Sequence, residues 1–149
     1  MKAPMSGAKT KAKKGVEEMK YILMMTGTKA GVNEYLAWSP SDIQAHFTFL
    51  TRLNKDLRES GEFVANEPLG APEQAKIVRA GKDGAPVTDG VFPEAKEFLL
   101  GYWIVDVESP ERACEIAARL SAGPGPGGVP LNMPIEVRQI MSPRASDPA

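Results

Sequence analysis

The sequence is poor in the residues from which metal sites and disulfide frameworks are built. Its 149 residues include one cysteine and one histidine. A structural zinc site takes four ligands, mostly Cys and His, and a disulfide framework needs several cysteines. The Gly-Pro-Gly-Pro-Gly-Gly run at residues 123–128 is no phosphate loop, because no Lys-Ser/Thr pair follows it and its prolines lack N–H donors. We therefore expect neither a metal nor another cofactor.

The sequence also lacks a long hydrophobic run. The longest one, Tyr21 to Met25, is far shorter than the roughly 20 residues of a membrane-spanning helix. The basic first residues lead into Gly, Thr and Lys rather than into the apolar stretch of a secretory signal. With 42% hydrophobic and 25% charged residues, the composition is typical of one soluble globular domain. We expect a cytoplasmic protein with no membrane partner.

Charge is distributed unevenly along the chain. Six lysines and two glutamates fall in the first 20 residues, whereas the remaining 129 carry 12 basic and 17 acidic residues. A basic stretch of this kind is either a tether for nucleic acid or a solvated tail. No aromatic residue separates the lysines, which favours the tail, so nucleic acid is not an expected partner. The expected organisation is a flexible basic tail over 1–18, a domain over 19–142 and a flexible tail over 143–149.

The order of predicted elements indicates the fold. Two helices are marked by Ser-Pro starts, and the first has apolar residues at helical spacing before a glycine stop. Alternating with strands, they give the α+β ferredoxin-like pattern, an antiparallel sheet with two helices on one face. The open face of such a sheet needs a partner, so we expect a homodimer. Strands are predicted over 20–26, 62–65, 75–80, 101–107 and 135–141, and helices start at Ser39-Pro40 and Ser109-Pro110 and end, for the first, at Gly61.

The single histidine lies on the apolar face of the first predicted helix. With 100° per residue and Ile43 at zero, Phe47 falls at about 40°, His46 at about 300° and Asn54 at about 20°. Polar groups that face a core either form hydrogen bonds with neighbouring groups or line a cavity. His46 is accordingly either a general base, since imidazole titrates near neutral pH, or a hydrogen-bonded structural residue.

Residues 87–107 read VTDGVFPEAKEFLLGYWIVDV, which resembles the signature of the YCII-related family and specifically of its DGPF branch. That branch carries Asp-Gly-Pro-Phe, then an acidic and a basic residue, a Gly-Tyr pair and a strand that ends in Asp. Val91 stands where the family has Pro, which loosens the turn but leaves Asp89 and Phe92 in place. The resemblance covers roughly residues 19–141.

The resemblance implies a ferredoxin-like fold that pairs into a dimeric α+β barrel. It implies little about chemistry, because most of the family has no established activity. A relative in the wider group is a dehydrochlorinase that acts on a chlorinated aromatic, with a His/Asp pair proposed at its site. Some DGPF members are similar to domains found beside extracytoplasmic-function sigma factors, which also allows a regulatory role.

Two hypotheses follow for the function. In the first, the protein is a cofactor-independent lyase-type enzyme whose small-molecule site lies between helix and sheet. His46 moves a proton and Asp89 orients it. In the second, the same site binds a metabolite without catalysis, in a ligand-binding or regulatory module. The structural alternative for Asp89 is a turn aspartate, and the alternative for Lys96 is a place on a solvated face. Tyr102 and Asp106 lie on the same face of a strand, because strand side chains alternate. Candidate ligand-binding residues are Asn54, Tyr102, Lys96 and Asp106.

Overall fold

A computed structural model describes residues 19–89 and 97–142 of the chain. Most of the elements there begin and end close to the predicted positions. The strands are β1 (Met19–Thr28), β2 (Phe63–Pro68), β3 (Ile77–Ala80), β4 (Pro86–Asp89), β5 (Glu97–Val107) and β6 (Ile135–Gln139), and the helices are α1 (Lys29–Leu36), α2 (Pro40–Ser60) and α3 (Pro110–Ser121).

Four of these strands form one antiparallel sheet in the order β2-β5-β1-β6. The last sheet strand in the chain therefore pairs with the first, as in a ferredoxin-like fold, and the predicted α+β class is confirmed. β3 and β4 form a separate two-stranded hairpin inserted between β2 and β5. The sequence pattern predicted a strand over 75–80 but no return strand over 86–89.

The two predicted helices have the expected caps. The Ser39 side chain accepts a hydrogen bond from the Asp42 amide, and the Ser109 side chain accepts one from the Arg112 amide. A proline occupies the first turn in both helices, where its missing N–H costs nothing. Gly61 ends α2 at φ 80°, a left-handed conformation that glycine adopts without strain. These local signals fix where α2 and α3 lie along the chain.

The core lies between the helices and one face of the sheet. Leu23, Val105 and Val107 are fully buried from the sheet side, and Leu53 and Leu57 of α2 pack on them. The small-residue face predicted for α3 is buried as expected and consists of Ala113, Ile116, Ala117 and Leu120. None of the described helices is long and apolar enough to cross a membrane.

A bidentate ion pair fastens the start of α3 to the loop before β2. Arg112 places Nε 2.8 Å from Glu62 Oε2 and Nη2 2.9 Å from Oε1. The Ser60 hydroxyl also donates to Glu62, at 2.7 Å. The fork-to-fork geometry joins the end of α2 to the beginning of α3.

Two expectations about the first half of the chain were wrong. Residues 29–36 form a third helix, α1, where only two helices were predicted. The Thr28 hydroxyl accepts from the Gly31 amide at 3.2 Å and so caps this helix. Phe47, expected on the buried face of α2, is 51% exposed. The buried face is centred on His46, and Phe47 points about 100° away from that direction.

Candidate functional site

His46 lies at the centre of the buried face of α2, in the half of the helix that precedes the sheet contacts. Its side chain is 8% exposed. Nδ1 lies 3.1 Å from the carbonyl oxygen of Pro124, in the loop after α3. The expectation that the one histidine faces inward is therefore met, and its partner is a backbone group.

The identity of this partner determines which ring nitrogen carries the proton. A carbonyl oxygen only accepts, so Nδ1 must donate. In the neutral ring the proton then lies on Nδ1, and Nε2 holds the lone pair. Within residues 19–89 and 97–142, Nε2 has no hydrogen-bond partner and is not sealed from solvent. His46 thus presents an oriented basic nitrogen.

Two aromatic rings from the C-terminal end of α1 and the residues after it pack against the imidazole. The ring centroid of Trp38 lies 5.8 Å from that of His46 at an interplanar angle of 87°, and Tyr35 lies at 6.2 Å and 69°. Tyr35 and Trp38 also contact each other, at 4.9 Å. Edge-to-face contacts of this kind fix ring orientations.

The Gly-Pro loop approaches α2 closely because it carries no side chain at Gly123. A methyl group there would lie 3.0 Å from Phe49 Cε2 and 3.4 Å from His46 Cε1. The loop is held to itself by hydrogen bonds from the Leu131 amide to Gly123 O and from the Gly125 amide to Val129 O. The sequence predicted no role for this segment, and the structure places its Pro124 carbonyl against the ring.

Asn54, predicted as a ligand-binding residue, is engaged by protein groups. Its Oδ1 accepts from Trp103 Nε1 at 2.8 Å, and its Nδ2 donates to Asn66 Oδ1 at 2.9 Å. Asn66 in turn donates to the backbone carbonyl of Tyr102 at 3.2 Å. This chain of bonds joins α2 to β5 and β2 beneath the helix. Of the two alternatives for a polar group that faces the core, Asn54 therefore forms hydrogen bonds with its neighbours.

Tyr102 and Asp106 belong to the other face of the sheet. Trp103, Val105 and Val107 of β5 point to the helices and are buried, so the alternating residues point away from them. Lys20, Ile22 and Met24 of β1 are the register partners of Asp106, Ile104 and Tyr102. Asp106 is 3% exposed, and its amide donates to Glu62 O. The sheet therefore separates Tyr102 and Asp106 from His46 and Asn54.

The remaining predicted site residues lie at or beyond the end of the hairpin. Asp89 is the last residue of β4, where its backbone pairs with Ile77 of β3. Its side chain is outside the described part of the structure, and so is Lys96. The His46–Asp89 pair stays a prediction.

Two open surface depressions occur elsewhere. One, of about 620 Å³, follows the exposed side of α2 from Gln44 to Asp56, and the other, of about 480 Å³, lies between residues 69–75 and 97–99. His46 lines neither of them. The imidazole lies instead among α1, α2 and the Gly-Pro loop.

Fold and sequence together identify the class of protein. The architecture is ferredoxin-like, with an inserted hairpin and a buried, oriented histidine under the first long helix. The chain belongs to the YCII-related domain family, whose family model matches residues 19–128. No curated protein matches the sequence.

The surroundings of His46 were not predicted, although one signal was available. Tyr35 and Trp38 are three residues apart immediately before the Ser-Pro helix start, a spacing that places two rings on one side of a helical turn. The contact with the backbone carbonyl of Pro124 could not be predicted from the sequence, because every residue has a backbone carbonyl.

Proposed function

We propose that this YCII-related protein binds a small organic molecule at His46 and that Nε2 accepts a proton from it. Asp89 stabilises the protonated imidazole through its charge, since Nδ1 is bonded to Pro124 O. The chemistry is that of a cofactor-independent lyase, with dehydrochlorination as the nearest model.

One observation carries this proposal. The contact between His46 Nδ1 and Pro124 O at 3.1 Å favours the proton on Nδ1, and Nε2 has no hydrogen-bond partner among the described residues and is not sealed from solvent. A general base needs a lone pair on an oriented group whose protonation changes near the working pH. A histidine kept only for packing needs no accessible nitrogen.

We further propose that the protein is a homodimer, paired through the open face of its sheet into an α+β barrel. The centre of that face is apolar and only half-buried in one chain, with Ile22, Met24, Tyr102 and Ile104 on neighbouring strands. An apolar sheet face is stabilised by covering it, and a C2 dimer covers two such faces at once.

Assignment to the DGPF branch is part of the same proposal. It rests on Asp89, Phe92 and the Gly101-Tyr102 pair, with Val91 as the one departure from the motif. We propose a cytoplasmic location because the lone cysteine, Cys114, is free and exposed, which fits a reducing compartment.

The His46–Asp89 pair is tested by NMR titration, since one imidazole per chain gives one set of ring signals. Replacing Asp89 by Asn removes a carboxylate that stabilises the imidazolium, so the midpoint of the His46 titration should fall. Asp83→Asn, in the turn of the same hairpin, is the matched control and should leave the midpoint unchanged. Equal midpoints in wild type and Asp89→Asn would refute the pair.

A second experiment separates catalysis from binding alone. The probe is 4-chlorocatechol. The ring signals of His46 report its binding, and release of chloride reports its turnover. Perturbed signals with chloride release, lost in His46→Gln, support the enzyme. Perturbed signals without release favour the ligand-binding or regulatory module. Signals that do not change with the probe argue against a chlorinated aromatic as the ligand.

A further inference from the structure

We infer that Asp42 is a positioning residue for His46, acting through the Gly-Pro loop rather than by touching the imidazole. The inference rests on the proposed role of His46 and adds the group that maintains its reactive tautomer. Asp42 and His46 lie one turn apart on α2, and the loop connects them on the outside of the helix.

The connection consists of two hydrogen bonds at opposite ends of the loop. The amide of Gly127 donates to Asp42 Oδ1 at 3.2 Å, and His46 Nδ1 donates to Pro124 O at 3.1 Å. Gly127 and Gly128 have φ of 68° and 80°, so the chain turns sharply just after the Gly127 amide. One carboxylate of α2 therefore holds the loop that holds the imidazole of the same helix.

Among the described residues, these two hydrogen bonds and the packing of Gly123 against Phe49 hold the loop on α2. Pro124 and Pro126 have no N–H to donate, and the glycines contribute no side chains. A missing Asp42 acceptor frees the Gly127 amide and lets the loop move away from the helix. The Pro124 carbonyl then no longer selects the Nδ1–H form, and a ring exposed to water populates both tautomers.

The test is the tautomer ratio of the single imidazole, measured by ¹⁵N NMR at a pH where the ring is neutral. In wild type the Nδ1–H form should dominate. In Asp42→Ala the ratio of Nδ1–H to Nε2–H should fall about fivefold, the order expected from loss of one hydrogen bond. Asp42→Asn keeps an acceptor oxygen but not the charge, and it should restore the wild-type ratio.

A matched control excludes a general effect of losing an acid from α2. Asp56 lies on the same helix and accepts from Arg119 at 2.6 Å, so Asp56→Ala should leave the tautomer ratio unchanged. Circular dichroism verifies that each variant keeps its helices.

The outcomes distinguish this inference from the proposed function. A wild-type ring that is mainly Nε2–H overturns the basis of both. A wild-type ring that is mainly Nδ1–H, with Asp42→Ala indistinguishable from it, overturns only the role of Asp42. Asp42→Asn that behaves like Asp42→Ala also overturns it, because charge rather than the bond to Gly127 would then be responsible.

Discussion

Trp103 donates a 2.8 Å hydrogen bond from its indole nitrogen to the side-chain carbonyl of Asn54. The bond joins the central strand β5 to the middle of α2. Because Asn54 also donates to Asn66, a single amide fixes the helix to two adjacent strands. The polar pair lies beside fully buried leucines, where an unmade hydrogen bond is costly.

Replacing Asn54 by Leu should destabilise the fold by about 1–3 kcal/mol, since the indole N–H loses its acceptor and Asn66 Oδ1 loses its donor. Urea unfolding followed by tryptophan fluorescence measures the change. Thr51→Ala, exposed on the same helix, is the control and should stay within about 0.5 kcal/mol of wild type. Equal midpoints for the two variants would contradict the structural role of Asn54.

Replacing Arg112 by Lys should cost about 1 kcal/mol, because an ammonium cannot reproduce the two parallel bonds to Glu62. The estimate is modest because the Arg112 side chain is 41% exposed. The hydrogen bond to Glu62, with Glu115 adding to it, raises the pKa of Arg112 above its ordinary value.

A raised pKa on a basic group gives stability that is present below its unfolded pKa, which for arginine lies well above pH 9. The difference between Arg112→Lys and wild type should therefore be the same at pH 6 and pH 9. Denaturation at both pH values measures this difference in stability. A difference that disappears at pH 9 would show that the Arg112–Glu62 pair does not stabilise the protein in this way.

Replacing Gly123 by Ala should destabilise the protein by roughly 1 kcal/mol and shift the ring signals of His46, since the new methyl presses on Phe49 and the imidazole. Thermal unfolding and NMR measure the two effects. Gly31→Ala in α1 is the control, because its nearest contact is Thr28 Oγ1 at 3.6 Å and alanine favours a helix. A variant at Gly123 with unchanged His46 signals would show that the loop can retreat freely.

Replacing Ile104 by Lys should convert the proposed homodimer to a folded monomer, because a charge at the centre of an apolar interface loses its hydration without a partner. Sedimentation velocity measures the mass and circular dichroism the fold. Thr48→Lys, on the exposed side of α2, should remain a dimer. If both variants are dimers, the dimer contact lies elsewhere than on this sheet face. If the wild type is a monomer, the proposed dimer does not form.

Most of the sheet and two of the helices could be predicted because their signals are local. Ser39, Ser109 and Gly61 act on neighbours within one turn, and alternation along β5 separates Trp103 from Tyr102. α1 was missed because its stability is only partly local. Gly31 and Asn33 are weak helix formers, and the helix is held by the Thr28 cap and by packing of Tyr35 on His46.

The site was predictable only in part for a similar reason. Helical spacing put His46 on the inner face of α2, but spacing does not reveal what it meets there. Its hydrogen-bond partner lies 78 residues away, in a loop whose composition suggests no contact. Tyr102 and Asn54 looked like members of one site because a sequence does not show that a sheet lies between them.

Helix α2 has 21 residues, about 31 Å of length, and its two halves are secured differently. The C-terminal half is held on the sheet by Leu53, Asn54 and Leu57. The N-terminal half packs against α1 and the Gly-Pro loop. We expect the first turns to open and close without disturbing the rest of the protein, since local unfolding begins where few apolar contacts must be broken. Amide exchange near His46 should then be faster than exchange near Leu57, which makes the His46 end of the helix its least cooperative part.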